Sequence, residues 1–179
     1  EPYIAQLRNW INEQKEPAGF DRIGEAGFVM VDHSWKKVNL RKSYAQPVII
    51  AGGVSNRGGQ AAFARVSNVT PNSFEVKVEE WACMDKRHLV EQINYLVVEA
   101  GRHELTNGKI LEAGILVEVN HEWKTENFSE AFPSTPVVMA QIISNEQEGV
   151  NIRLNHSQVN TNRLSLKIQN AERGDLSKE

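Results

Sequence analysis

The sequence predicts an all-β protein: two tandem antiparallel β-sandwich repeats behind a short N-terminal helix. Three observations predict it. From Gly24 onward, short apolar or alternating runs are separated by turn-forming clusters, the pattern of antiparallel sandwiches and barrels. A series of motifs occurs twice in the same order, as expected of a duplicated structural unit. Helical spacing of apolar residues is convincing only in Pro2 to Gln14.

In that first segment Ile4, Leu7, Trp10 and Ile11 share one helical face. Pro2 suits a first helical turn, and the run Lys15-Glu16-Pro17-Ala18-Gly19 ends the helix. So short a helix is not stable alone, so its Trp10 stripe is expected to be a packing face. The β region opens with the apolar run Phe28 to Val31. Pro47 to Ala51 follows, with proline at the strand start, where its missing N–H does least harm. Gly52, Gly53, Gly58 and Gly59 bracket a turn before a strand from Ala61 to Val66. After a turn at Asn68 to Ser73, Phe74, Val76 and Val78 alternate with Glu75, Lys77 and Glu79. Alternation places the first set on a packed face and the second in water. Tyr95 to Val98 is continuously apolar, as in a strand covered on both faces.

The duplication is read residue by residue. Glu25-Ala26-Gly27 recurs as Glu112-Ala113-Gly114, and His33-x-Trp35-Lys36 as His121-x-Trp123-Lys124. Asn39 matches Asn127, Tyr44 matches Phe132, and Pro47-Val48 matches Pro136-Val137 at the head of a strand reaching Ala140. Ser55-Asn56 matches Ser144-Asn145, and the Phe74, Val76, Val78 face matches Leu164, Leu166, Ile168. The offset drifts from 87 residues at Glu25 and Glu112 to 90 at Phe74 and Leu164. Three units follow: a helix and linker over 1–19, a first sandwich over 20–106, and a second, truncated sandwich over 107–179. The link Gly101 to Leu111 is short and holds Asn107-Gly108, a tight-turn pair, so the repeats are expected to touch. Nothing after Ile168 matches Asn94 to Glu99. The second repeat is therefore expected to lack its last buried strand, through truncation of a longer protein or because another segment supplies it.

The chain has 179 residues, 40% hydrophobic and 24% charged, a globular composition. A net charge of −3 argues against a nucleic-acid partner, which asks for a basic face. No apolar run approaches the ~20 residues of a membrane helix. The lone Cys83 forms no intrachain disulfide. Starting at Glu1 without a signal peptide, the chain reads as a processed or excised piece of something longer. Sequons stand at Asn68, Asn127 and Asn155. There is no G-x-S-x-G elbow, no H-E-x-x-H and no phosphate-loop ending, so an enzyme is not expected.

The chemistry concentrates in the loop before the late strand, which carries Glu79, Glu80, Trp81, Asp85, Lys86, Arg87, His88 and Glu91. Loops pinned between strands are where sandwiches keep binding groups. Trp81 and Tyr95 with His88 are candidates for a sugar platform, their aromatic faces stacking on C–H groups while Asp85 accepts from hydroxyls. The alternative is that Trp81 caps the core. Asp85 and Glu91 are the candidate calcium ligands, His88 being excluded by calcium's preference for oxygen; no other cofactor is expected. The paired His33-x-Trp35 and His121-x-Trp123 are read as a shared packing requirement.

The succession Pro47 to Ile50, Asn68 to Thr70, Phe74 to Trp81 and Tyr95 to Val98 resembles the H-type lectin domain. That resemblance implies a six-stranded antiparallel sandwich that assembles through its sheets, and N-acetylgalactosamine binding. Trp81 and its loop neighbours map onto the family's binding region, whereas the second repeat has Gln169-Asn170-Ala171-Glu172 there. The expectation is a non-catalytic carbohydrate-binding or adhesion module of a larger secreted or surface protein, partnered by a glycan or glycoprotein. The alternative is an assembly module that associates with itself or with the rest of a longer chain.

Overall fold

The computed structural model describes residues 23–81, 84–145 and 150–170. The helix expected over Pro2 to Gln14 lies outside them. In the first repeat the alternating and apolar runs become six strands: β1 (Gly24–Val31), β2 (Lys36–Asn39), β3 (Pro47–Val54), β4 (Ala62–Thr70), β5 (Ser73–Glu80) and β6 (Glu91–Glu99). They form two three-stranded antiparallel sheets, β1-β6-β3 and β2-β5-β4. The sheets share one core. Val31, Ile49, Ile93 and Val97 come from the first, and Val38, Val66, Phe74, Val76 and Val78 from the second. Phe74 and Tyr95 meet edge to face between them, ring centroids 5.2 Å apart. A β-carbon at Gly27 would fall 2.4 Å from the Tyr95 hydroxyl, so glycine there lets the tyrosine ring cross β1.

The second repeat contains β7 (Gly101–Glu104), β8 (Ile110–Ala113), β9 (Lys124–Asn127), β10 (Val150–Leu154) and β11 (Arg163–Asn170), with a 3₁₀ turn at His156–Gln158. β7 and β8 form a hairpin from the expected link, whose turn is closed by the Gly108 N–H donating to the Leu105 carbonyl. β10-β11-β9 is the counterpart of β4-β5-β2, down to register. Lys36 stands opposite Val76 and Lys124 opposite Leu166; Arg65 stands opposite Lys77 and Arg153 opposite Lys167. Loop bonds repeat as well. Leu40 N–H donates to Asn72 as Phe128 does to Asn162, and Val78 N–H to Asp32 as Ile168 does to Asn120. Glu25 accepts from the Arg41 N–H as Glu112 does from the Ser129 N–H. Lys77 lies over the Trp35 ring at 4.8 Å, and Lys167 over Trp123 at 5.0 Å. The tryptophans are thus held in both copies by a cation on the neighbouring strand.

Three expectations are corrected. The outer face of β5 is not in water: Lys77 and Glu79 are buried with the core residues. The cause is the other repeat. Buried Arg65 donates from Nε to Glu79 Oε2 at 3.0 Å, from Nη2 to Glu79 Oε1 at 3.2 Å, and from Nη2 to the Val150 carbonyl at 3.3 Å. Conversely, β6 is not covered on both faces, for Leu96 and its neighbour Phe28 are exposed on the outside of their sheet. Lastly, Pro136 to Ala140 enters no ladder among the described residues, although its counterpart Pro47 to Ala51 is a strand. The ladder partner of that counterpart is β6, and among the described residues no strand stands at the corresponding place in the second repeat.

Removing one member of a buried ion pair strands the other. Glu79→Ala should therefore cost about 3 kcal/mol in urea unfolding, while Lys37→Ala, at an exposed position of β2, should stay within about 0.5 kcal/mol.

Candidate functional site

The loop from β5 to β6 is bounded by two carboxylates that the strand period turns inward. On β5 the parity that buries Phe74, Val76 and Val78 also buries Glu80, and on β6 the parity of Ile93 and Val97 buries Glu91. A buried carboxylate must find donors, and His88 stands between the two. Its Nδ1 is 2.8 Å from Glu80 Oε1, and its Nε2 3.3 Å from Glu91 Oε1. Glu91 also accepts from the Gly58 N–H at 2.7 Å, the Arg57 N–H at 2.8 Å and the Ser55 hydroxyl. A β-carbon on Gly58 would lie 2.7 Å from His88 Nε2, so only glycine lets the β3–β4 turn close over the imidazole. The His88 N–H donates to His33 Nδ1 at 3.3 Å, which ties the loop to the β1–β2 corner. The result is a polar plug sealing one end of the core and joining three loops.

Burial alone would raise the Glu91 pKa. The Ser55 hydroxyl, the Gly58 and Arg57 N–H groups and His88 outweigh it and bring it down to about 2. Tyr95 moves the other way, its hydroxyl pKa raised first by burial and then by the charge of Glu25. Asp85 is exposed, and its pKa is lowered chiefly by the Arg87 N–H it accepts at 3.0 Å.

The four residues expected at a ligand platform therefore have different neighbours. Trp81 is half-buried, edge-on to Phe63 with centroids 5.9 Å apart. Tyr95 packs on Phe74 within the core. His88 is buried between Glu80 and Glu91. Asp85 alone of the four is exposed. Of the two expected calcium ligands, Glu91 is buried, with its oxygens taken up by Ser55, Arg57, Gly58 and His88. Among the described residues no group of three or more His, Cys, Asp or Glu is arranged to hold a metal ion. Sequence reasoning missed Glu80 as a plug residue and Ser55 and Gly58 as its partners. Extending the alternation of Phe74, Val76 and Val78 by one step would have found Glu80.

A second feature is the seam between the repeats, a cleft lined by Gly52, Val54, Phe63, Arg65, Gln141, Val150 and Ile152. Gln141 spans it, accepting from the Ala51 N–H at 3.3 Å and donating to the Ala64 carbonyl at 3.2 Å. The Ser144 N–H donates to the Val66 carbonyl at 3.0 Å. Among the described residues no helix is long and apolar enough to cross a membrane.

These features define a duplicated antiparallel β-sandwich with the β5–β6 loop of its first repeat locked by buried polar groups. The chain matches no known protein family and no solved structure. It is similar to halomucin of Haloquadratum walsbyi (strain DSM 16790 / HBSQ001), 33% identical over 148 residues, covering 75% of this chain and 2% of halomucin. The chain thus spans a small fraction of that protein's length.

The lowered pKa of Glu91 carries a pH signature. A depressed carboxylate contributes stability that is fully present above its unfolded value, near 4.5, and is lost as pH falls through about 2. Glu91→Gln should cost about 2 kcal/mol at neutral pH, since it removes a charged acceptor. Urea midpoints measured between pH 6 and about pH 2 should fall less steeply for this variant than for the parent.

Proposed function

We propose that the chain is a non-catalytic structural and adhesion module of a much longer protein exposed at the cell surface. The observation that carries this reading is the match to halomucin, which places a stretch like this one inside a far longer polypeptide. The surface location rests on the relative's name, mucins being long extracellular proteins. The duplication and the seam at Arg65, Gln141 and Val150 support a load-transmitting role, because a fixed angle between repeats suits a rigid segment of a long chain. An antibody raised against this chain should label intact cells of the source organism. Label that needs permeabilised cells would overturn the reading.

A glycan-binding role is the second reading. The observation that favours it is a loop fixed from beneath by His88 and Glu91 that presents half-buried Trp81 with exposed Asp85 and Arg87 above. The resemblance to the H-type lectin domain points the same way. The ligand groups on this reading are Trp81 and Asp85, with His88 supporting the loop. A glycan array run in calcium and again in chelator tests it. A focused set of hits, lost in Trp81→Ala with the fold intact, supports lectin activity; a blank array on folded protein removes it.

A further inference from the structure

In the first repeat β6 is the middle strand, and nearly its whole length is paired on both edges. Residues 91–98 pair with 24–31 of β1 on one edge, and residues 93–99 pair with 47–54 of β3 on the other. The repeat correspondence carries the parts of these flanks at 27–31 and 47–51 to Gly114–Glu118 and Pro136–Ala140, through Glu25 with Glu112 and Pro47 with Pro136. Among the described residues these two stretches enter no ladder, while the counterpart of the start of β1, residues 111–113, lies in β8 and pairs with β7. The floor beneath them is open to match. Phe74, Val78, Ile49 and Tyr44 are fully enclosed, whereas their counterparts Leu164, Ile168, Val138 and Phe132 are half-exposed. Beside them Val137 is 94% and Met139 64% exposed. Two backbone edges that are unpaired among the described residues thus border one apolar floor.

We propose that the second repeat is a receptor slot for one incoming β-strand of the β6 type. The occupant is an extended protein segment of about nine residues, apolar at its third, fifth and seventh positions as Ile93, Tyr95 and Val97 are in β6. It runs antiparallel to both flanks. The backbone ladders on its two edges supply affinity, and its inward side chains supply register. The first repeat shows what such a strand covers, because β6 seals the same floor there. A glycan would leave the apolar floor uncovered. A second copy adding its edge strand would pair with one flank only and leave the other open. The inference rests on the repeat geometry and is independent of where the protein resides.

The test uses the full chain and a synthetic peptide of the β6 sequence, Glu91 to Glu99, carrying terminal lysines for solubility. Calorimetric titration should show saturable binding of one peptide per chain. Hydrogen exchange should slow by about tenfold or more at 114–118 and 136–140 when the peptide is bound. A peptide with Val97→Asp should lose binding, as should the chain variant Val138→Asp. The peptide variant keeps the test intact if the chain variant does not fold. Absence of binding, or equal binding by a scrambled peptide, would overturn the proposal. So would a peptide-free dimer that already protects both flanks, which would make a second copy the occupant.

Discussion

A three-stranded sheet depends on its middle strand, because only that strand satisfies backbone groups on both of its edges. In the first repeat the middle strand of one sheet is β6, the last strand of the unit, and it holds β1 and β3 together. Neither neighbour pairs with the other, so the sheet closes only when β6 arrives. The strand must also arrive in register. A slip of one residue would turn Gln92 and Asn94 toward the core and Ile93 and Val97 outward. Glu91 resists such a slip at the first position of the strand, because its acceptors are matched to Ser55, Arg57, Gly58 and His88. A cluster read in the sequence as a candidate binding site also fixes the middle strand in three dimensions.

The two repeats share their turn bonds and strand register, but not their surroundings. Arg65 on β4 is buried against Glu79 and reaches the Val150 carbonyl, whereas its counterpart Arg153 on β10 is exposed. The residue type is the same, and the difference is the presence of the other repeat over β4. Glu25 and Glu112 make the same point. Both accept from the N–H at the matching loop position, but Glu112 also takes Arg102 of the linking hairpin at 2.8 Å. Arg102 in turn lies over Phe132 at 4.6 Å, so the hairpin between the repeats is held by charge and ring contacts.

What was legible in the sequence follows from which forces are local. The strands at Phe28, Pro47, Ala61, Phe74 and Tyr95 were readable because alternation and turn clusters are properties of adjacent residues. The duplication was readable because identical turns need identical residues, and the register confirms the pairing of Lys36 with Lys124 and of Phe74 with Leu164. Burial of Lys77 and Glu79 was not readable, since it comes from a segment about seventy residues away that lies across the seam. Pro136 to Ala140 reads as a strand because its residues suit one, but a strand also needs a partner, and partners are not written in the strand itself. The core packing of Tyr95 and the burial of His88 were not readable for a related reason. Loop residues rich in charge look exposed until the strand parity on either side is carried through to Glu80 and Glu91.

The seam and the plug together suggest why this chain invests buried polar groups where apolar ones would serve for adhesion between surfaces. An apolar seam would hold two repeats together at many angles, because the hydrophobic effect is non-directional. Arg65, Gln141 and the Ser144 N–H instead bond to named backbone carbonyls and N–H groups across the seam. Such bonds are satisfied at one relative placement and lost at others, since an unpaired buried donor costs its full desolvation. The repeats are therefore set at a defined angle rather than merely joined. In a long array, a defined angle per repeat accumulates into a defined path for the chain, and an undefined one into a coil.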